Sequence, residues 1–391
     1  MPLLRGARIQ GNRGSYRVDS AIGGGGMANV YSGTDDTGKQ VAIKVPKVVG
    51  DGKDRVRLER IRVEAQILKK LRHENIVHYL DEREEGRTFY LVMEMIDGPT
   101  FMDQYRRKPV DDSMVEAFAQ RLLEVLGHIH LRNVIHRDLN PKNIMSASSR
   151  RLVIIDWGAA KHGWVQAPSI VAHIGTPGWS APEQFTTGLA TPCSDLYGLG
   201  AVMFYLLTGE EPKLHMNSCG GLVSGPRDIN RSVSQKLSNL VRTAMDPDPA
   251  RRFQTASDMA SMLVDDKLPT HSGPYIVIQG TIHDIEEEAE IGRTHSLCPS
   301  CRARGRSPEI EVDDPELYVS KHHARVSVDD QRRGWIEDLN SVNGTAISRD
   351  AGKSYSILEA NRRERLLNND VVAIVYREAR GPYMTFTFKE A

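Results

Sequence analysis

Short alternating runs of apolar and polar residues occupy both ends of the chain, with helical spacing between them. Up to about residue 45 the runs are strand-like, closing on the β-patterned tetrapeptide Val41-Ala42-Ile43-Lys44. A helical period follows over roughly Arg55 to Leu71. It places Ile61, Glu64 and Leu68 at i, i+3 and i+7, so an acidic residue falls on the face that should pack inward. Val115, Phe118, Leu122, Val125 and Ile129 predict a second amphipathic helix behind the cap candidates Asp112 and Ser113. The most apolar stretch, Leu196 to Leu207, is too short for a membrane span and carries Tyr197 and Tyr205.

The stretch 266–273 concentrates Pro, Gly, Ser and Asp and reads as a linker between a first domain, 16–265, and a second, 274–391. Beyond it the strand pattern returns in Tyr275-Ile276-Val277-Ile278, Glu309-Ile310-Glu311-Val312, Ala324-Arg325-Val326-Ser327-Val328, Val371-Val372-Ala373-Ile374 and Thr385-Phe386-Thr387-Phe388. These runs predict an all-β unit, most simply a sandwich.

Composition narrows the function classes. The 391 residues carry 51 Lys+Arg against 51 Asp+Glu, which argues against coating nucleic acid or an anionic membrane. With 40% hydrophobic and 26% charged residues the chain reads as an ordinary globular protein of about two or three domains. Arg5, Arg8 and Arg13 near the N-terminus flank no continuous apolar run, so no signal peptide is expected. Four cysteines make no disulfide framework, and a reducing, cytoplasmic setting is expected.

Candidate chemistry begins at Ile22-Gly23-Gly24-Gly25-Gly26-Met27-Ala28, which by itself is weak evidence, since a glycine-rich hairpin is more often a plain turn. Lys44 alone would read as a solvated head on an apolar stem. Glu64 changes that reading, because an inward carboxylate needs a cationic partner to stay charged. The decisive stretch is His136-Arg137-Asp138-Leu139-Asn140-Pro141-Lys142-Asn143, followed by Asp156-Trp157-Gly158 and Ala181-Pro182-Glu183.

In order and spacing, these elements resemble the eukaryotic-type (Hanks-type) Ser/Thr protein kinases over 16–265, with a prokaryotic flavour in Gly25-Gly26-Met27 and Glu183-Gln184. The resemblance implies an α+β bilobal protein-kinase fold with ATP held in the cleft between its lobes. Asp138 would act on the substrate hydroxyl, while Lys44, paired with Glu64, would hold the α/β-phosphates. Asn143 and Asp156 would ligate Mg²⁺, with Mn²⁺ as an alternative. Backbone groups of Gly23, Gly25 and Ala28 would cover the phosphates beside Val30, and Glu94 and Met95 would meet the adenine behind Met93. Arg137 would pair with a phosphate on the activation segment, whose candidate hydroxyls are Ser169, Thr176 and Ser180. Asp195 and an Arg252–Glu183 pair would be structural anchors. Three departures stand out: Ala28 for a loop glycine, Trp157 for phenylalanine, and Asn140 where these kinases carry a lysine near the γ-phosphate.

In the β unit, Ile291-Gly292-Arg293, Val319-Ser320-Lys321-His322-His323 and Asn340-Ser341-Val342-Asn343-Gly344 would singly read as turns. Together they resemble the forkhead-associated (FHA) domain, an all-β sandwich whose loops bind phosphothreonine. Arg293, Ser320 and Lys321 would then hold the phosphate and Asn343 the peptide backbone, with His323 bracing the loops and Val342 replacing a commoner threonine. Cys298 and Cys301 form a single CxxC pair, half of a zinc site, and default to a flexible loop.

The reading is an ATP-dependent Ser/Thr kinase in signal transduction with a tethered phosphothreonine reader. Its expected partners are protein substrates and phosphothreonine proteins or its own phosphorylated chain, without nucleic acid or membrane. The alternatives are a weakly active or inactive scaffold that recruits phosphorylated partners, and a dual-specificity kinase.

Overall fold

A computed structural model describes residues 3–86, 88–147, 151–162, 175–186, 188, 190–265, 273–293, 308–314, 316–350, 352, 354–377 and 381–390. Positions 266–272 of the stretch read as a linker, Ser169, and the pair Cys298 and Cys301 lie outside the described residues.

The N-terminal lobe is a six-stranded antiparallel sheet ordered Arg8–Gln10, Ser15–Gly24, Ala28–Asp35, Gln40–Pro46, Thr88–Glu94, Tyr79–Glu85. Its edge strand lies before position 16, where the first domain was expected to begin, and only Ile9 among its three residues is apolar and buried. The helix Asp54–Lys70 packs on this sheet through Ile61, Leu68 and the fully buried Glu64, the inward acid that the spacing predicts.

The second lobe is built around the helix Pro192–Thr208, buried at every position from Cys193 to Thr208. Pro192 opens it, Ser194 Oγ accepts the Thr191 N–H at 3.1 Å, and Gly209 ends it at φ 73°, where a side chain would be strained. The apolar run Leu196 to Leu207 is therefore a core helix. Among the described residues no helix is long and apolar enough to cross a membrane. The helices Asp112–His130, Gln235–Ala244 and Ala256–Asp265 pack around it. The cap of the first is Asp111, not Asp112 or Ser113; the Asp112 carboxylate instead accepts the Ser234 N–H at 2.8 Å, so a tertiary contact outcompetes the local cap.

The β unit has two sheets. One runs Thr281–Asp284, Tyr275–Ile278, Gly381–Lys389, Val371–Arg377, Thr345–Ser348, Ser356–Ile357. The other runs Ile310–Val312, Glu288–Arg293, Ala324–Val328, Gly334–Asp338, Arg363–Arg365. Ile276, Ile291, Val326, Ile336, Ile374 and Phe386 share a single apolar core. All five expected strands are present. Of the additional ones, Glu288–Arg293 places Glu288 and Glu290 outward and only Ala289, Ile291 and Gly292 inward, so it carries little apolar signal.

Candidate active site

Between the lobes lies a cleft of about 770 Å³, lined by the glycine-rich hairpin, Lys44, Met93, Met95 and the loop from Asp138 to Asn143. That is within the roughly 300–1,000 Å³ typical of small-molecule sites. Strand Ser15–Gly24 turns into Ala28–Asp35 at the hairpin tip, and a Cβ at Gly23, Gly25 or Gly26 would meet nothing within 4 Å. No internal packing requires these three glycines, and the hairpin tip lines the open cleft. Ala28 is buried in the sheet. Both Glu94 carboxylate oxygens are engaged, one by Arg151 at 2.9 Å and the other by the His78 N–H at 3.0 Å, which leaves its backbone for a ligand.

Lys44 Nζ lies 2.8 and 2.7 Å from the two Glu64 oxygens and 2.8 Å from Asp156 Oδ1. Burial alone would pull this ammonium's pKa down; the Asp156 and Glu64 carboxylates outweigh burial and keep it charged. The Asp156 carboxyl is likewise pushed up by burial, yet Lys44 and the Gly158 N–H hold it below the usual carboxylate range. Trp157 is accommodated by its own contacts: its backbone N–H donates to Glu64 at 3.2 Å, its indole N–H to the Ile154 carbonyl, and its ring meets His136 edge-on.

The catalytic loop hangs from Asp195, whose two carboxylate oxygens accept the His136 and Arg137 N–H groups at 2.9 and 2.8 Å while a buried His130 sits 2.9 Å away. This grip holds Arg137 at φ 72°, a left-handed conformation costly for a non-glycine residue. Asp138 is thereby presented to the cleft. Its Oδ1 accepts the Thr176 hydroxyl at 2.7 Å, and its Oδ2 and backbone carbonyl accept the Asn143 amide at 3.2 and 2.8 Å.

Two oxygens are left facing the cleft. Asp156 spends Oδ1 on Lys44 and Gly158, which leaves Oδ2, and Asn143 spends its NH₂ on Asp138, which leaves Oδ1. Hard oxygens from one carboxylate and one amide suit a divalent ion whose remaining ligands are phosphates and water. Such an ion would neutralise charge on the β- and γ-phosphates.

Sequence reasoning missed two residues. Arg60, one helical turn before Glu64, lies on the same face and close enough to Arg137 to depress its pKa. Lys161, opposite Ile135 in a two-strand ladder, is close to Arg137 as well. Burial pulls the pKa values of Arg60 and Arg137 down, that of Arg137 to about 10. The buried Nε atoms of Arg60 and Arg137 make no hydrogen bond among the described residues. The i, i+4 spacing to Glu64 is the one signal that could have pointed to Arg60.

The structure brings the three β-unit clusters together. His323 Nδ1 accepts the Ser320 N–H at 3.0 Å, its Nε2 lies 3.3 Å from the Gly344 carbonyl, and its own N–H donates to the Ile291 carbonyl. The Arg293 N–H donates to the Ser320 carbonyl, and Ser320 Oγ accepts the Val342 N–H at 3.0 Å. Lys321 sits in the same loop, and a Cβ at Gly292 would lie 1.8 Å from its carbonyl oxygen, so only glycine permits this approach. Asn343 donates to the Tyr318 carbonyl and accepts from Arg377.

A model of the protein kinase domain matches residues 16–264, and a model of the FHA domain matches 302–375, a stretch that begins after Arg293. The chain is 32% identical over 270 residues to the serine/threonine-protein kinase PrkC of Bacillus subtilis, covering 66% of this chain and 41% of the relative. It is 32% identical over 267 residues to the probable serine/threonine-protein kinase PknB of Lactococcus lactis, covering 64% and 41%. It thus spans about two fifths of the length of these two relatives. The PknI kinase domain of Mycobacterium tuberculosis superposes with a TM-score of 0.54 at 22% identity, over 68% of this chain and 100% of that one, which is a likeness of fold.

Proposed function

The chain belongs to the protein kinase family, and from that premise we propose that it transfers the γ-phosphate of ATP to serine and threonine hydroxyls of proteins, with a phosphothreonine reader on the same chain. The observation that carries this reading is the Lys44–Glu64–Asp156 triad set across the cleft from Asp138 and Asn143. Lys44 binds and orients the phosphates, Asp138 receives the hydroxyl's proton, and Mg²⁺ is the ion proposed for Asn143 and Asp156. No base or metal oxygen is missing, which favours an enzyme over a scaffold. Thr176, bonded to Asp138 from the Gly175-Thr176-Pro177 turn, supports serine and threonine over tyrosine. We place the protein in the cytoplasm, in keeping with the free thiols of Cys193 and Cys219. Incubation with labelled ATP and Mg²⁺ tests the specificity: label should appear on phosphoserine and phosphothreonine, and label on phosphotyrosine would count against it.

The cluster Arg60, Arg137 and Lys161 supports an activating phosphate, since Arg137 is repelled by Arg60 and repels Lys161, and a dianion joining them would relieve that repulsion. Thr176 is the weaker candidate to carry that phosphate, because its hydroxyl already serves Asp138 and a phosphate there would face a carboxylate. Ser169 is the stronger. Phosphatase treatment of the full chain should lower its activity, and in Arg137→Ala the ratio of activities before and after treatment should fall towards one. An unchanged ratio would remove the switch.

For the β unit, Arg293, Ser320, Lys321 and Asn343 are proposed to hold a phosphothreonine peptide, from a partner or from this chain's own phosphorylated segment. A charged hydrogen-bond donor contributes about 1.5–3 kcal/mol, so Arg293→Ala should weaken binding of phosphothreonine peptides by roughly tenfold to a hundredfold. Calorimetry on the full chain, with phosphoserine and unphosphorylated peptides as controls, measures this. Equal affinity in wild type and variant would leave Arg293 without the role.

A further inference from the structure

We propose that Lys142 supplies the mobile cation for the transferring phosphate, the position at which Asn140 leaves the chain without charge. The inference rests on the kinase reading above and assigns one more residue of its cleft.

Asn140 cannot do this work itself. It is neutral and buried, and its own loop holds both ends of its amide: its NH₂ donates to the Asp138 carbonyl at 3.0 Å and its Oδ1 accepts the Lys142 N–H at 3.0 Å. These two bonds, with the Asn143 N–H donating to the Asn140 carbonyl at 3.0 Å, fold the loop into a tight turn. The turn sets Lys142 on the cleft wall, directly before the proposed metal ligand Asn143.

The other cleft cations are committed. Lys44 is neutralised by Glu64 and Asp156, and Arg60 is half-buried and drawn to the Asp138 and Asp156 carboxylates. Lys142 is exposed and makes no ion pair among the described residues. Its long stem can carry the ammonium to an anion without leaving water until the anion is there.

In the transfer, the substrate Oγ bonds to Pγ as the bond from Pγ to the β,γ-bridging oxygen breaks. ADP leaves with the electron pair, and the hydroxyl proton passes to the Asp138 carboxylate. The γ-phosphate is anionic already in bound ATP, and negative charge grows on the bridging oxygen as ADP leaves, so a cation there favours the triphosphate over ADP on binding and the transition state further still. Placing it two residues further along the loop keeps it on the same turn as Asp138.

The test compares the full chain as wild type, Lys142→Met, Lys142→Arg and Lys142→Met with Asn140→Lys. Calorimetry in Mg²⁺ measures the preference for a non-hydrolysable ATP analogue over ADP, and steady-state assays measure kcat. Lys142→Met should abolish the triphosphate preference while ADP affinity stays as in wild type, and kcat should fall roughly tenfold to a hundredfold. Lys142→Arg should keep the preference, and Asn140→Lys should return part of it to Lys142→Met. A triphosphate preference unchanged in Lys142→Met overturns the assignment. Should the wild type transfer no phosphate at all, the kinase reading fails, while the preference measured without turnover still decides Lys142.

Discussion

Asp138→Asn should lower phosphoryl transfer by about 10²–10⁴-fold while nucleotide affinity remains at the wild-type level. The amide fills the same space and can accept from the Thr176 hydroxyl, so the loop keeps its shape, but it cannot take the substrate's proton. The pH profile gives a second signature. Burial raises the Asp138 carboxyl's pKa, against the hydrogen bonds from Thr176 and Asn143 and the neighbouring His136. Because the deprotonated form is the active one, a raised pKa moves the acid limb of kcat/KM to higher pH than an ordinary aspartate would give. Residual activity in Asp138→Asn should lack that limb. Transfer at the wild-type rate would mean that Asp138 is not the group that handles the proton.

Arg252→Met should destabilise the helical lobe by about 3–5 kcal/mol, because it strands the Glu183 carboxylate. The Arg252 side chain is fully buried; it pairs with both Glu183 oxygens at 2.8 and 2.9 Å, donates to the Asp246 and Pro247 carbonyls, and lies 4.8 Å from the Tyr197 ring centroid. Hydrogen exchange of amides at the start of the helix Pro192–Thr208 reads the loss locally, since Ser194 Oγ also donates to Glu183. Glu183→Leu with Arg252→Met should recover much of the stability, as an apolar pair leaves no buried charge behind. If exchange is unchanged in Arg252→Met, the pair is not what fixes this corner of the fold.

Much of this was legible because kinase chemistry is carried by short motifs of fixed order. Glu64 betrayed itself as an acid on an inward face, and the structure gives it Lys44 as partner. The Arg252–Glu183 pair and the bracing role of His323 are likewise in place as read. What escaped had no local signature. Arg60 and Lys161 reach Arg137 from a helix and a two-residue strand, and nothing in periodicity links three such positions. The Arg8–Gln10 strand carries one apolar residue, and Glu288–Arg293 places only Ala289, Ile291 and Gly292 inward, so its period-two pattern has little apolar bulk. The cap at Asp111 was hidden by a neighbour that looked equivalent in sequence but is held by Ser234 in space.

Intact-mass spectrometry of the dephosphorylated full chain, incubated with ATP and Mg²⁺, tests phosphoryl transfer most directly. The expected result is stepwise gain of single phosphates on serine and threonine, dependent on the metal and absent from Asp156→Asn. A wild-type chain that binds ATP with its metal and gains no phosphate, on itself or on added protein substrates, would contradict the assignment of this cleft as a phosphotransferase site.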